Sequence, residues 1–213
     1  MTIRYSRFFL TTALFLFICL LLIQTPAPTL AEGFQITPFL GYRVGGDFED
    51  GVTGAELSLS EEETYGIIIG RDTAPGQQAE FFYSFQPSRL TAGGIFTPGV
   101  LADVDVEYFH IGGRQYWELG STKPFVVGSV GATHFAPHSS SLGSETRFSI
   151  GFGGGLELVA SERVAIRLEG RGFATFFNSD GAVLCDSSGG CIVLVASDVI
   201  WQFEVGAGVS FKF

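Results

Sequence analysis

Histidine and cysteine are scarce in this chain, with three of each among 213 residues. Metal centres and redox pairs need such residues clustered. His110, His134 and His138 are too scattered to nominate a metal site, and no metal or other cofactor is expected. Basic residues are few as well, 12 Lys and Arg against 22 Asp and Glu, for a formal net charge of −10. That balance argues against nucleic acid as a partner. Beyond the N-terminal segment there is no apolar run long enough for a helical membrane span. Neither GGRQY from Gly112 nor GFGGG from Gly151 leads into a helix-forming segment, so these glycine runs are not phosphate-binding loops. Internal repeats and a linker to a second domain are also lacking.

The N-terminus has the pattern of an export signal. Arg4 and Arg7 precede an apolar run from Phe8 to Ile23, and Ala27 to Ala31 supplies a small-residue exit. Residues 1–31 are therefore expected to be a signal peptide that carries Cys19 away, leaving a single domain over residues 32–213. A retained membrane anchor is the alternative, but QTPAPTLAE follows the run where a basic stop signal would stand. In the mature chain Cys185 and Cys191 flank DSSGG. Export permits a disulfide there, expected as a structural staple of modest effect because its loop is small.

Glycine (29) and phenylalanine (22) are plentiful for the length. Glycine permits close packing and curvature inside a narrow barrel, and phenylalanine suits a lipid-facing wall. The final stretch is the most informative. Trp201, Phe203, Val205, Ala207, Val209, Phe211 and Phe213 share one parity, and Gln202, Glu204, Gly206, Gly208, Ser210 and Lys212 the other. This is the two-residue period of a strand whose faces meet different media. Such a strand would leave an exposed apolar edge unless it pairs.

Seven further strands are legible upstream. The first starts at Gly33, with Phe34 to Val44 outward on even numbers and Arg43 inward, and Pro38 is awkward there because it lacks a donor. The second carries Tyr65, Ile67 and Ile69 outward. The third sets Phe81, Tyr83 and Phe85 against Glu80, Phe82 and Ser84. In the fourth, Val104, Val106 and Tyr108 are assigned outward and Asp103, Asp105 and Glu107 inward, with room for a bulge around His110 to Gly113. The fifth runs from Pro124 to Phe135, with Phe125, Val127 and Phe135 on one parity and Gly128, Ala132 and His134 on the other. The sixth (Thr146 to Val159) and seventh (from Val164) alternate clearly. Short connections at Asp72–Gln77, Glu118–Lys123 and Ala160–Arg163 alternate with long ones, among them a loop from Pro87 to Val100 and one from Asn178 to Asp198 whose apolar IVLVA is expected to extend a flanking strand with its second half. The expected fold is an all-β, eight-stranded antiparallel up-and-down transmembrane β-barrel, its short turns and both mature termini periplasmic. A soluble antiparallel barrel with a packed core is the competing architecture.

The inward set is Arg43, Glu80, Asp105, Glu107, Arg147, Glu157, Arg167, Glu169, Arg171 and Glu204. Buried charges persist when paired, so these residues read as a lumen charge network. An ion-selective pore is the sharper alternative, though eight strands leave a lumen that side chains can fill. A lipid-modifying hydrolase built on His134, His138, Ser139, Ser140, Ser141 and Glu145 is a third possibility, without a nucleophile elbow to support it.

On GFQITPFLGYRVGG, VEYFHIGG, KPFVVGSVGATHF, ERVAIRLEGRGFATFF and the closing FEVGAGVSFKF, the mature chain resembles the small outer-membrane β-barrel superfamily of Gram-negative bacteria, which includes the OmpA-like transmembrane domain and opacity-type proteins. The resemblance covers essentially all of the mature chain. It implies insertion into the cell outer membrane, with outer-membrane lipid as surroundings and the barrel-assembly machinery as biogenesis partner, reading Phe211 and Phe213 as an assembly signal. It also implies a non-enzymatic structural or surface-interaction role, through external loops toward an unknown external ligand, or passage of small hydrophobic solutes. A periplasmic peptidoglycan-binding domain of the OmpA kind is missing from the sequence.

Overall fold

A computed structural model describes residues 33–49, 56–92, 99–139, 142–177, 182–185, 191–194 and 199–213. The expected signal peptide lies outside the described residues. Twelve strands are formed: β1 (Phe34–Gly45), β2 (Asp47–Glu49), β3 (Glu56–Leu59), β4 (Glu62–Ala74), β5 (Gln77–Ala92), β6 (Gly99–Tyr116), β7 (Thr122–Pro137), β8 (Glu145–Val159), β9 (Val164–Phe176), β10 (Ala182–Cys185), β11 (Cys191–Leu194) and β12 (Val199–Lys212). Eight of them, β1, β4, β5, β6, β7, β8, β9 and β12, pair antiparallel with their neighbours. The β1–β12 and β5–β6 pairings close the sheet into an up-and-down barrel, which leaves the long strands no open edge.

The wall alternates as the medium on each side demands. Outside stand Leu40, Tyr65, Phe81, Ile111, Val126, Phe152, Leu168, Trp201 and Val205, all exposed on the protein. Inside stand polar, charged and aromatic side chains with almost no exposure. A two-sided pattern of this kind, apolar outward and polar inward, belongs to a barrel surrounded by lipid.

Three short turns and the outer ends of β1 and β12 sit at one rim; the longer connections sit at the other. At the long-connection rim the chain leaves β1 through Gly45 and Gly46, whose φ angles of 87° and 99° suit glycine. It then forms the β2–β3 hairpin, and β3 pairs with the end of β5, carrying the wall beyond the start of β4.

Several boundaries differ from the sequence expectation. Residues 87–92 belong to β5 and Gly99–Leu101 to β6, where a loop is expected from Pro87 to Val100. β6 keeps an unbroken register past His110 to Gly113, and the β5–β6 shift lies instead at Leu90/Thr91. The apolar IVL segment extends neither flanking barrel strand but forms a separate hairpin with β10.

The β10–β11 hairpin also corrects the disulfide. Cys185 and Cys191 are backbone partners, yet no cysteine pair lies at disulfide distance. The ladder, not a covalent staple, joins the two segments.

Pro38 has the consequence its missing donor suggests. β1 pairs with β12 at Gln35–Lys212 and Ile36–Phe211 and again from Phe39–Gly208, but not at Thr37 or Pro38. The hydroxyls of Thr37 and Ser210 meet across that interruption at 2.8 Å.

Candidate functional site: a layered lumen

The inward side chains form four layers between the two rims. The layer nearest the short turns is ionic. Glu80, from β5, receives Arg167 at 2.7 and 3.2 Å and Arg171 at 3.1 Å, and pairs with Arg114 at 3.4 Å. Glu169 lies two residues from both β9 arginines and bridges them, at 2.7 Å to Arg167 and 2.5 Å to Arg171. Glu157 accepts from Arg114 at 2.8 Å and Gln35 at 2.9 Å and pairs with Lys212 at 3.2 Å. Arg114, Arg167 and Arg171 thus match Glu80, Glu157 and Glu169 in charge, as burial requires.

Above it lies an aromatic layer. Phe39 stacks on Phe82 at 5.5 Å, Phe82 meets Phe173 at 5.7 Å, and Phe173 stacks on Tyr108 at 4.1 Å. The Phe39 ring fits because Gly66 and Gly208 lack side chains: a Cβ on Gly66 would stand 2.7 Å from the ring, and one on Gly208 2.9 Å from the Phe39 Cβ. The guanidinium of Arg171 lies over Phe82 at 4.1 Å from below. His110 enters from β6, with Ser129 at 3.0 Å and Ser149 at 2.9 Å.

The third layer is a second, smaller ion site. Arg43 and Glu204 are register partners on the closing seam. Their side chains join at 2.7 and 3.1 Å, and Ser84 donates to the same Glu204 oxygen at 2.8 Å. Arg43 also lies 4.5 Å above the Tyr108 ring, and Tyr108 donates to Gln202 at 2.8 Å. At the long-connection rim the lumen turns apolar, filled by Leu57, Leu59, Leu90, Val106, Phe135 and Ile200, each at most 5% exposed. Between the first two layers there is an internal cavity of about 20 Å³, lined by Phe39, Phe82, Arg167, Glu169 and Glu204 among others. It is room for about one water.

Seven of the ten sequence-nominated residues meet in the two ionic layers: Arg43 with Glu204, then Glu80, Glu157, Arg167, Glu169 and Arg171. Arg147 is at the mouth near the long connections, paired with Glu145 and 5.5 Å from the Phe177 ring. Asp105 and Glu107 are a correction. β6 turns Val104, Val106 and Tyr108 into the lumen, at 1% exposure or less, and sets Asp103, Asp105 and Glu107 on the outer wall. Glu107 accepts from the outward Tyr83 at 2.7 Å, and Asp105 pairs with His138 at 2.9 Å. The assignment fails because polarity marks the lumen only within the hydrocarbon depth. Near the long-connection rim the outer face meets headgroups and water while the lumen is apolar, so the two faces exchange character.

The same reversal hides Arg114 and His110, which share the parity of Val106. An unbroken β6 counted from Val104 to Tyr116 would have placed both inside. The grouping of His134, His138, Ser139–Ser141 and Glu145 is not assembled as a triad around Glu145. His134 meets Thr146 at 2.8 Å, His138 takes Asp105, and Glu145 takes Arg147. Ser140 and Ser141 lie outside the described residues. Phe211 is buried between the registers of Ile36 and Val164.

No family model and no curated protein matches the sequence. Solved structures do match in fold. Neisserial surface protein A superposes with a TM-score of 0.58 at 13% identity, covering 85% of this chain and 97% of that one. The outer membrane protein OprG from Pseudomonas aeruginosa gives 0.58 at 14% identity, with 86% and 97% covered. The outer membrane protein AlkL, solved in DMPC lipid bilayers, gives 0.57 at 16% identity, with 89% and 95% covered. Identities this low speak to architecture alone. The chain is thus an eight-stranded antiparallel transmembrane β-barrel that resembles these small outer-membrane proteins in fold.

Proposed function

We propose that the chain is a sealed, non-enzymatic scaffold of the outer membrane whose long connections make its external contacts. The observation that carries this reading is the layered lumen: paired charges, stacked rings and an apolar rim succeed one another, with a cavity for about one water between the first two. The short turns and both barrel ends then face the periplasm, as in outer-membrane barrels generally. Outer-membrane lipid surrounds the wall, the barrel-assembly machinery reads the end of β12 at Phe211 and Phe213, and the ligand of the external connections is of unassigned chemistry. Purified protein in planar bilayers is expected to give no stable conductance. Stable channels that vanish on changing Arg167 or Glu169 would overturn the sealed reading.

The apolar rim favours one second reading, entry of small hydrophobic solutes from outside. It requires Leu57, Leu59 and Leu90 to separate, since they fill the mouth. Faster uptake of an apolar solute by cells carrying the protein, over cells without it, would support that reading.

A further inference from the structure

The outer wall near the short turns carries a groove that lipid solvation alone does not explain. On the parity that faces outward, Ala79 on β5, Gly113 on β6 and Gly128 on β7 are consecutive register partners. A Cβ on Gly113 would meet nothing closer than 3.7 Å, and one on Gly128 would meet nothing within 4 Å. Larger outward side chains stand around this low ground. Ile69, Phe81, Ile111 and Val130 wall an apolar section of about 500 Å³. Toward the turns, Thr73, Gln77 and Gln115 line a polar section of about 340 Å³ that shares Ala79 and Gly112 with it. Arg71, the register partner of both Ala79 and Phe34, stands on the wall of the apolar section near this change from apolar to polar.

Arg71 is exposed and outward, and among the described residues no ion pair engages it. Its neighbour Asp72 is on the opposite parity and accepts from Gln78 at 3.0 Å. A long cationic side chain at the edge of the hydrocarbon snorkels to the interface, where lipid phosphates are the anions within its reach.

We infer that this groove seats one glycerophospholipid of the inner leaflet, its phosphate on Arg71, its headgroup against Thr73, Gln77 and Gln115, and an acyl chain along Ala79, Ile111 and Val130. Charge complementarity selects the occupant: an apolar trough leading to an unneutralised guanidinium matches an amphiphile with one phosphate. The volume lies within the range of small-molecule sites. The inference rests on the short-turn rim being periplasmic, the orientation adopted above, which gives glycerophospholipid as the lipid on that side.

The full mature barrel, reconstituted in vesicles of phosphatidylethanolamine, phosphatidylglycerol and lipid A and then extracted in mild detergent, is the material for the test. Native mass spectrometry is expected to show one retained glycerophospholipid per chain. Arg71→Gln removes the phosphate partner and Gly113→Leu fills the trough, and each is expected to lower retention at least tenfold. Arg163→Gln, in the exposed turn between β8 and β9, leaves it unchanged. Heat-modifiable migration certifies that each variant is folded; Ala79→Leu fills the same trough if Gly113→Leu does not fold. Absence of retained lipid, retention of a lipid A-type molecule instead, or unchanged retention in a folded groove variant overturns the site. Conductance is measured separately, so a leaky barrel that retains its lipid would sink the sealed reading and leave this one standing.

Discussion

Replacing Glu80 by Gln is the most demanding test of the lumen. The side chain keeps its volume, so no cavity is made, but the charge that three guanidiniums share is lost. Arg114 retains Glu157 at 2.8 Å, whereas Arg167 and Arg171 are left to divide Glu169. The lower ionic layer then carries an excess positive charge in a site where Arg114, Arg167 and Glu80 side chains are 2% exposed. Removing one partner of a buried ion pair costs about 3–5 kcal/mol, and the several arginines around Glu80 place this variant in that range. With a urea dependence of about 1–3 kcal/mol per molar, the unfolding midpoint falls by at least about 1 M. Unfolding from lipid vesicles can be followed by the fluorescence of Trp117 and Trp201, both on the outer surface. The double variant Glu80→Gln with Arg167→Gln removes one charge of each sign and is expected to recover about 0.5–3 kcal/mol relative to the sum of the single changes. A loss below about 1 kcal/mol for Glu80→Gln, or strict additivity in the cycle, refutes the idea that these charges act as one network.

Other expectations follow from the same layers. Phe173→Ala removes a fully buried ring stacked on Tyr108 and is expected to cost about 3–5 kcal/mol in the same unfolding assay. Glu107→Gln on the outer wall is expected to stay within about 1 kcal/mol of the parent, whereas Glu157→Gln in the lumen destabilises markedly; equal costs would restore an inward Glu107. In the turn between β6 and β7, the Lys123 ammonium hydrogen bonded to Glu118 at 2.5 Å holds that carboxyl below its ordinary range. The pair therefore contributes above the unfolded carboxylate pKa and is lost as pH falls through the lowered folded value. Lys123→Ala should move the Glu118 midpoint upward in an NMR titration, and an unmoved midpoint would show that Lys123 is not the cause.

Much of the fold is written in local pattern. The period of two, the glycines and aromatics, and the alternation of short and long connections lead directly to eight antiparallel strands in a closed sheet. What local pattern could not supply was the level of each residue along the barrel axis. On β12 and β9, polarity marks the lumen because most of the strand lies at hydrocarbon depth. On β6 the first half rises beyond it, and there Asp105 and Glu107 take the outer face while Val104 and Val106 take the lumen. Sorting by polarity alone reversed that strand and concealed Arg114, a member of the ionic layer. The cysteine pair failed for a different reason: the short spacing sets the two residues opposite each other in a hairpin, but standing opposite does not by itself make a bond, and no cysteine pair lies at disulfide distance.

The ionic layers join residues that are far apart in the chain. Arg43 and Glu204 are 161 positions apart, Gln35 and Glu157 are 122 apart, and Arg167 and Glu80 are 87 apart. None of these bonds exists in a single hairpin. A strand that docked one residue out of register would send its charges into lipid, and one that docked two residues out would set them against rings. The lumen therefore acts as a fidelity check on closure. Hairpins in the wrong alignment gain ladder bonds but leave guanidiniums and carboxylates stranded, and only the correct circle silences all of them together.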